Sequence, residues 1–395
     1  MDIHFDIIQT AGMAGGVFLL GKWIKARSSF LQKFFFPAPV IGGIIVSLLE
    51  FFLHQSGVVN ISFDKTLMSF FMNIFFTCVG FTVSAKLIRS SGRQGAVLAV
   101  IAVTFLIIQN VIGVSLSRLL GIDELLGIAM GSISMSGGVG SGAAFGPTLE
   151  SLGAQGATAI GIAAATFGLM MGSLIGGPVA KRLIDRHRLA PTGATTDGAD
   201  DSPTSATAAT TSSTLLRSTL LVLIAAAIGT LISLILTLSG IKFPYYVGCL
   251  FGGALVRNIA DYGVIDLCHD EVDMVSTTSL NLFLSISLMS LNISALIDLA
   301  LPMMAILLTQ MVTMMTYAYF VTFRLMGKDY DAAVMAAGHC GVGLGQTPNA
   351  LANMSAVINE KGPSPKAWFI LPVITVVFIN IFNPLIITFF INLFQ

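Results

Sequence analysis

The sequence predicts an all-α polytopic membrane protein: two inverted-topology repeats of about five transmembrane helices each, with one re-entrant hairpin per repeat. Three observations predict it. First, 55% of the 395 residues are hydrophobic and only 10% are charged, with a mean hydropathy of +0.87. A soluble domain carries about 25% charged residues, so the bilayer is the natural solvent for this chain. Second, apolar runs of spanning length recur along the chain. Third, short motifs of the first half return in the same order in the second.

The runs lie near 5–21, 35–53, 67–85, 95–117 and 156–180, and again near 218–239, 243–257, 275–297, 301–324 and 367–393. A span needs roughly 17–25 apolar residues, so 243–257 is a short member of the set. The start, MDIHFDIIQT, is acidic rather than basic and no small-residue cleavage site follows, so the first run is expected to be a retained span. Between the sets, residues 190–214 are almost all Ala, Thr, Ser, Asp, Gly and Pro. Such a segment cannot bury enough apolar surface to offset its ordering entropy. The chain therefore divides into an N-terminal repeat (1–189), a flexible cytoplasmic linker (190–214) and a C-terminal repeat (215–395).

Basic residues orient the spans. With the N-terminus outside, 17 of the 20 Lys and Arg fall in inward-facing loops, and only Lys65, Arg118 and Lys242 face out. The positive-inside rule requires such an asymmetry. It holds only if 125–150 and 331–355 enter and return on the same side. Both termini are then outside and the linker is cytoplasmic.

The repeats show in short matches at separations of 203 to 210 residues. Phe36-Pro37 with Gly42-Gly43 matches Phe243-Pro244 with Gly252-Gly253. IFFTCVGFTVSAKLI (74–88) matches LFLSISLMSLNISALI (282–297), and GGVGSGAAFGPT (137–148) matches CGVGLGQTPNAL (340–351). Five spans per half, joined on one side, force opposite orientations, an arrangement common in secondary transporters.

The two glycine-rich segments are the candidate binding elements. Four glycines within 137–142 disfavour regular helix by about 1 kcal/mol each, and unwound backbone at membrane depth is tolerated only inside protein or beside a wet cavity. Glycine admits close approach to a ligand, and N–H groups at half-helix starts favour a carboxylate. The substrate candidates are Ser136, Gly138, Val139, Gly140, Ser141 and Gly142 in the first hairpin. His339, Gly341, Gly343, Gly345, Gln346 and Thr347 are those of the second. Gly140 and Gly343 are expected at related positions of the two tips. His339 reads either as a substrate or proton contact or as a satisfied interior donor. Close packing through small residues is the plain alternative for the first hairpin.

Oxygen ligands for sodium are sought at Asn349 and Asn353, and at the pairs Asn73/Thr77 and Asn281/Ser285, whose four-residue spacing puts each pair on one helix face. Interhelical hydrogen bonding is the alternative for those pairs. Arg257, at the end of an apolar run, is expected to snorkel. The acidic run His269–Asp273 is expected to be a solvated charge run rather than a metal site. The four cysteines, Cys78, Cys249, Cys268 and Cys340, have no metal-finger spacing. No catalytic set is present, so no enzyme activity and no cofactor are expected. The zero net charge gives no field for nucleic acid.

The segments GSISMSGGVGSGAAFG (131–146), ATFGLMMGSLIGGPVAKRL (165–183) and YDAAVMAAGHCGVGLGQTPNALANM (330–354) resemble the bacterial glutamate:sodium symporters. The likeness runs from FPAPVIGGIIVSLL (36–49) to the end of the chain, apart from the linker. It implies inward transport of a small anionic substrate, glutamate, with sodium as the coupling ion. It also implies two inverted five-helix domains with re-entrant loops, a homodimer in the bacterial inner membrane, and elevator-type movement. The chain departs from the family's usual pattern at Val139, Ser141 and Phe145, where His, Thr and Trp are common, at Gln346 and Asn349, where Ala and Thr are usual, and at Arg257. The rival readings are a cation/proton antiporter, a proton-coupled dicarboxylate transporter of the same fold, or a membrane-embedded enzyme. An antiporter usually needs an ionisable residue deep in a span, and here every Asp or Glu lies at or near a span end or in a loop.

Overall fold

The computed structural model describes residues 2–55, 60–191, 212–238, 245–291 and 299–395. Most of the expected linker, Lys242, Phe243-Pro244 and the last residues of the 275–297 run lie outside the described residues. Among the described residues, eight helices are long and apolar enough to cross a membrane. They fall on eight of the ten expected runs. The other two form α3 (Ala38–Gln55, 18 residues) and the short α11 (Tyr245–Ala260, 16 residues). The chain is a multi-pass, helical membrane protein.

One feature departs from all-α. β1 (Asp2–Phe5) pairs in parallel with β2 (Asn60–Phe63), with Phe5 stacked on Phe63 at 5.6 Å between ring centroids and His4 bonded to Ser62 at 2.9 Å. The first helix, α1 (Ile7–Arg27), therefore starts two residues later than the apolar run. Asp6 Oδ1 accepts from Gln9 N at 2.8 Å and Asp6 N donates to Gln9 Oε1 at 3.0 Å, a reciprocal cap that fixes the start.

The remaining helices of the first half are the short α2 (Ser29–Lys33), α4 (Thr66–Gly80), α5 (Ala85–Ser90), α6 (Gly92–Leu119), α7 (Glu124–Ile128), α8 (Gly138–Ser151) and α9 (Ala157–His187). The second half holds α10 (Ser212–Leu238), α11, α12 (His269–Met289) and α13 (Ala300–Tyr317), which continues through a π-helical turn to Leu325. It closes with α14 (Tyr330–Leu344), α15 (Thr347–Lys361) and α16 (Pro365–Phe394). The acidic run is the first turn of α12, where acids suit the helix dipole. Glu271 is not solvated as expected: it is buried and accepts from Ser218 Oγ at 2.7 Å.

Packing sorts the helices into two groups that cut across the sequence halves. α1, α3, α4, α10, α11 and α12 pack together, while α6 to α9 pack with α13 to α16. The groups meet where α8 touches α12, and the short α5, whose start is bonded to Asn258 of α11, packs on α6 and α16. Glycine pairs explain the first group. A Cβ on Gly42 would lie 2.0 Å from the Val17 carbonyl of α1, and one on Gly252 would lie 2.3 Å from the Ala225 carbonyl of α10. Their neighbours turn the other way: Gly43 meets Leu288 of α12 at 2.4 Å, and Gly253 meets the Thr77 carbonyl of α4 at 2.0 Å. Each pair thus seats its helix against the preceding span on one side and against the other half on the other. No side chain fits at such separations, and backbone-to-backbone packing replaces a hydrophobic driving force that lipid cannot supply. In the second group α9 is the central member, packed against α8, α13, α14 and α15.

Candidate functional site

Two broken helices lie side by side in the second group. In the first, α7 runs into a π-helical turn (Ala129–Ile133), leaves helical geometry at Gly131 (φ −88°, ψ −135°), turns at Ser136 and Gly137, and restarts as α8 at Gly138, whose φ is +71°. Such a kink frees backbone groups that lipid cannot satisfy. Neighbouring amides take them up. Ser132 N donates to Asn110 Oδ1 (3.1 Å), Asn110 Nδ2 donates to Ser132 Oγ (2.8 Å), and Asn383 Nδ2 donates to the Ser132 carbonyl (3.0 Å).

In the second, α14 ends at Leu344, Gly345 leaves helical geometry (φ −149°, ψ −123°), Gln346 is extended, and α15 restarts at Thr347, with Pro348 in its first turn where a missing N–H is harmless. The Gly343 carbonyl accepts from Gln109 Nε2 at 2.7 Å. Ser136 Oγ lies 2.7 Å from Gln109 Oε1 and 3.2 Å from that same carbonyl. Gln109 therefore stitches the two breaks together. It is held in turn by Gln310 of α13, whose Nε2 donates to the Gln109 carbonyl at 2.7 Å.

The tips touch at Gly138 and Gln346: a Cβ on Gly138 would lie 2.5 Å from Gln346 Nε2. Neither α8 nor α15 has a side-chain cap. Two helix starts without side-chain caps thus lie close together, with the Gln346 side chain before the second reaching the start of the first, and helix dipoles favour an anion there. Val139 is buried in the first turn of α8, Ser141 is half-buried, and Gly142 packs on the Gly161 backbone of α9. Gly140 faces Phe75 of α4 and Leu280 of α12 in the other group. Gly341 packs against α15 at Ala350, and Thr347 is half-buried at the tip. His339 is placed apart from the tip contact, bonded to Thr322 Oγ1 at 2.9 Å between Phe105 and Tyr317.

Gly140 and Gly343 do not occupy related positions. Gly140 is in the first turn after the first break; Gly343 is in the last turn before the second and packs on Met314. The shared Gly-Val-Gly-x-Gly motif therefore lies on opposite sides of the two breaks. Matching the helix starts after the breaks pairs Gly138 with Thr347 at a separation of 209, within one residue of that of Asn73 and Asn281.

The expected sodium ligands are divided between the groups. Asn349 Nδ2 donates to the Leu169 carbonyl (2.7 Å) and to Ser173 Oγ (2.5 Å) of α9, and Asn353 Nδ2 donates to the Gly172 carbonyl (2.7 Å). Among the described residues Asn349 Oδ1 is buried without a hydrogen-bond partner, 3.2 Å from where a Gly345 Cβ would stand. Asn73, Thr77, Asn281 and Ser285 stand on α4 and α12, where Thr77 is occupied in bonding the Asn73 carbonyl at 2.8 Å. Arg257 is buried and pairs with Asp261 at 3.1 Å rather than snorkelling into water. No cluster of three or more His, Cys, Asp or Glu side chains that would suit a resident metal is found among the described residues.

The sequence reading missed Gln109, Asn110, Gln310 and Asn383. The available signal was a buried amide within an otherwise apolar span, and Gln109 and Gln310 stand 201 residues apart, close to the repeat separation.

Known proteins match this chain over nearly its whole length. The family model described as sodium/glutamate symporter matches residues 3–363. The sodium/glutamate symporter of Escherichia coli (strain K12) is 38% identical over 397 residues, 99% of this chain and 98% of its own. That of Shigella flexneri matches equally, and that of Haemophilus influenzae is 37% identical over 391 residues, 97% and 96% of the two chains. Matches of this extent leave one assignment: the chain belongs to the sodium/glutamate symporter family, and is a transporter rather than an enzyme.

Proposed function

We propose that this protein takes up glutamate, or a closely related small carboxylate, together with sodium by alternating access. The observation that carries the reading is the nearness of two helix starts without side-chain caps, where the Gln346 side chain before α15 reaches Gly138 at the start of α8, within a chain of this family. Backbone N–H groups at helix starts hold a carboxylate without a fixed charge of their own. Substrate contacts are assigned to Ser136, Gly138 to Gly142, and Gly345 to Thr347, with Gln109 positioning both breaks. The unpartnered Asn349 Oδ1 is the best-placed sodium ligand, since a hard cation prefers carboxamide and carbonyl oxygens. A filled Asn349 site would fix the second break in its binding geometry. That links the two solutes, so each tightens the other.

The two repeats (1–189 and 215–395) are read as inverted, with both breaks as re-entrant tips. The matched roles of Gly42-Gly43 and Gly252-Gly253 support this reading. The sparse contact between the helix groups suits one group moving against the other, as in an elevator, with the first group as a dimerisation scaffold. The basic asymmetry supports a bacterial inner membrane placement with both termini outside. In a cysteine-free background, Ser205→Cys should resist an impermeant maleimide in intact cells; labelling from outside would reverse the orientation. The function is tested by a thermal-shift screen of purified protein against amino acids and dicarboxylates, with and without sodium. Glutamate should raise the melting temperature only in sodium. Stabilisation by a dicarboxylate at low pH without sodium would favour proton coupling instead.

A further inference from the structure

α9 carries a second feature, away from the contact between Gly138 and Gln346. At 31 residues it is about 46 Å long, against a hydrocarbon core of about 30 Å, so its basic end reaches headgroup level. Beside that end lies an open groove of about 1330 Å³ between α9, α13 with its π-helical turn, and α15. The floor is apolar, with Val179, Met315, Phe320 and Val357, and Phe320 continues an exposed apolar stripe through Leu308 and Val312 of α13. The rim is charged: Lys181, Arg182, Arg186 and Lys361 against Asp185 and Glu360, a surplus of two positive charges.

The two acids are already engaged. Lys181 pairs with Glu360 at 3.7 Å, and Lys361 lies 3.8 Å from Asp185 and 3.5 Å from Glu360. Arg182 and Arg186 make no ion pair among the described residues, although both are exposed one helical turn apart. Like charges at that spacing repel. A phosphate placed between them removes the repulsion and suits the fork of donors that each guanidinium presents.

We propose that this groove binds one anionic glycerophospholipid, with its phosphate on Arg182 and Arg186 and an acyl chain along Phe320 and Val357. An apolar slot that ends in unpaired arginines at headgroup depth matches both parts of that molecule and neither a soluble anion nor a neutral lipid. The groove lies wholly within the group that carries the broken helices, so the lipid would travel with that group in any relative movement.

Native mass spectrometry of delipidated protein, with equal amounts of phosphatidylglycerol and phosphatidylethanolamine added, tests this. Phosphatidylglycerol should be retained preferentially, and Arg182→Gln/Arg186→Gln should lower its retention about tenfold while leaving phosphatidylethanolamine unchanged. Both arginines are exposed and unpaired, so the melting temperature in lipid-free detergent should not move. Ala356→Trp, which fills the groove without altering charge, should also reduce retention. Equal retention of the two lipids, an unaltered preference in either variant, or displacement of the lipid by inorganic phosphate alone would overturn the proposal.

Discussion

The two broken helices do the same architectural job with opposite chemistry. The first is nearly all glycine and serine around its break and borrows amides from outside, Asn110 of α6 and Asn383 of α16, to satisfy its freed backbone. The second carries its own amides, and Asn349 and Asn353 reach out to bond α9. One break thus supplies space and bare N–H groups. The other supplies oxygens, one of which, Asn349 Oδ1, is left without a partner among the described residues. Under the proposed function the glycine side takes the carboxylate and the amide side the cation.

The largest effect expected from breaking this contrast is at Gly138. Its φ of +71° costs a side-chain-bearing residue about 1–2 kcal/mol, and a Cβ there would collide with Gln346. Gly138→Val should abolish sodium-driven glutamate uptake into proteoliposomes, with a melting temperature only a few degrees lower. Gly140→Ala, which meets Phe75 at 3.3 Å, should be far milder. Equal damage from both would mean that crowding at the group boundary, and not the tip, limits transport.

Next comes the amide that joins the two breaks. Gln109→Leu leaves the buried Gly343 carbonyl only the longer contact to Ser136 Oγ at 3.2 Å and removes the acceptor that seats Ser136, at a cost of about 1–3 kcal/mol. Its counterpart Gln310→Leu loses one bond to the Gln109 carbonyl, worth about 1 kcal/mol. Denaturation midpoints and uptake rates should both rank Gln109→Leu as the more harmful. The reverse order would remove Gln109 from its bridging role.

The two asparagines of the second break separate structure from coupling. Asn349→Ala and Asn353→Ala both lose bonds to α9 and should destabilise to similar degrees. Only Asn349→Ala should also raise the sodium concentration needed for half-maximal binding, by about tenfold, the equivalent of about 1.4 kcal/mol. A matching rise in Asn353→Ala would show that the effect is loosened packing. Ser136→Ala is the smallest change. Gln109 remains bonded to the Gly343 carbonyl without it, so an affinity loss of about two- to fivefold, within the ~1 kcal/mol of a single hydrogen bond, is expected from titration of substrate.

Much of this was legible in the chain. Apolar runs located the spans because a membrane helix must be apolar over its whole length. The glycine pairs were visible as repeat matches, and the structure adds why they are glycine: a Cβ there would lie about 2 Å from a neighbouring carbonyl or side chain. The break residues were visible as glycine clusters, but their register was not. Gly-Val-Gly-x-Gly aligned the two halves by residue identity, whereas the turns themselves fall after the motif in one half and before it in the other. A helix tolerates glycine when tertiary contacts hold it, so composition alone does not say which glycine unwinds. Gln109 and Asn110 were hidden for a related reason. An amide in an apolar span signals a buried contact but not its partner, and theirs are hundreds of residues or one span away. The β1–β2 pairing had no periodic signal at four residues per strand.

The most direct test of the account is calorimetric titration of L-glutamate into purified protein in sodium and in potassium buffers, for the parent and for Gly138→Val. Meeting helix starts coupled to a sodium-sensitive second break predict binding to the parent that is at least about tenfold tighter in sodium, and none to a folded Gly138→Val. Equal affinity in the two buffers, or parental binding by the variant, would contradict it.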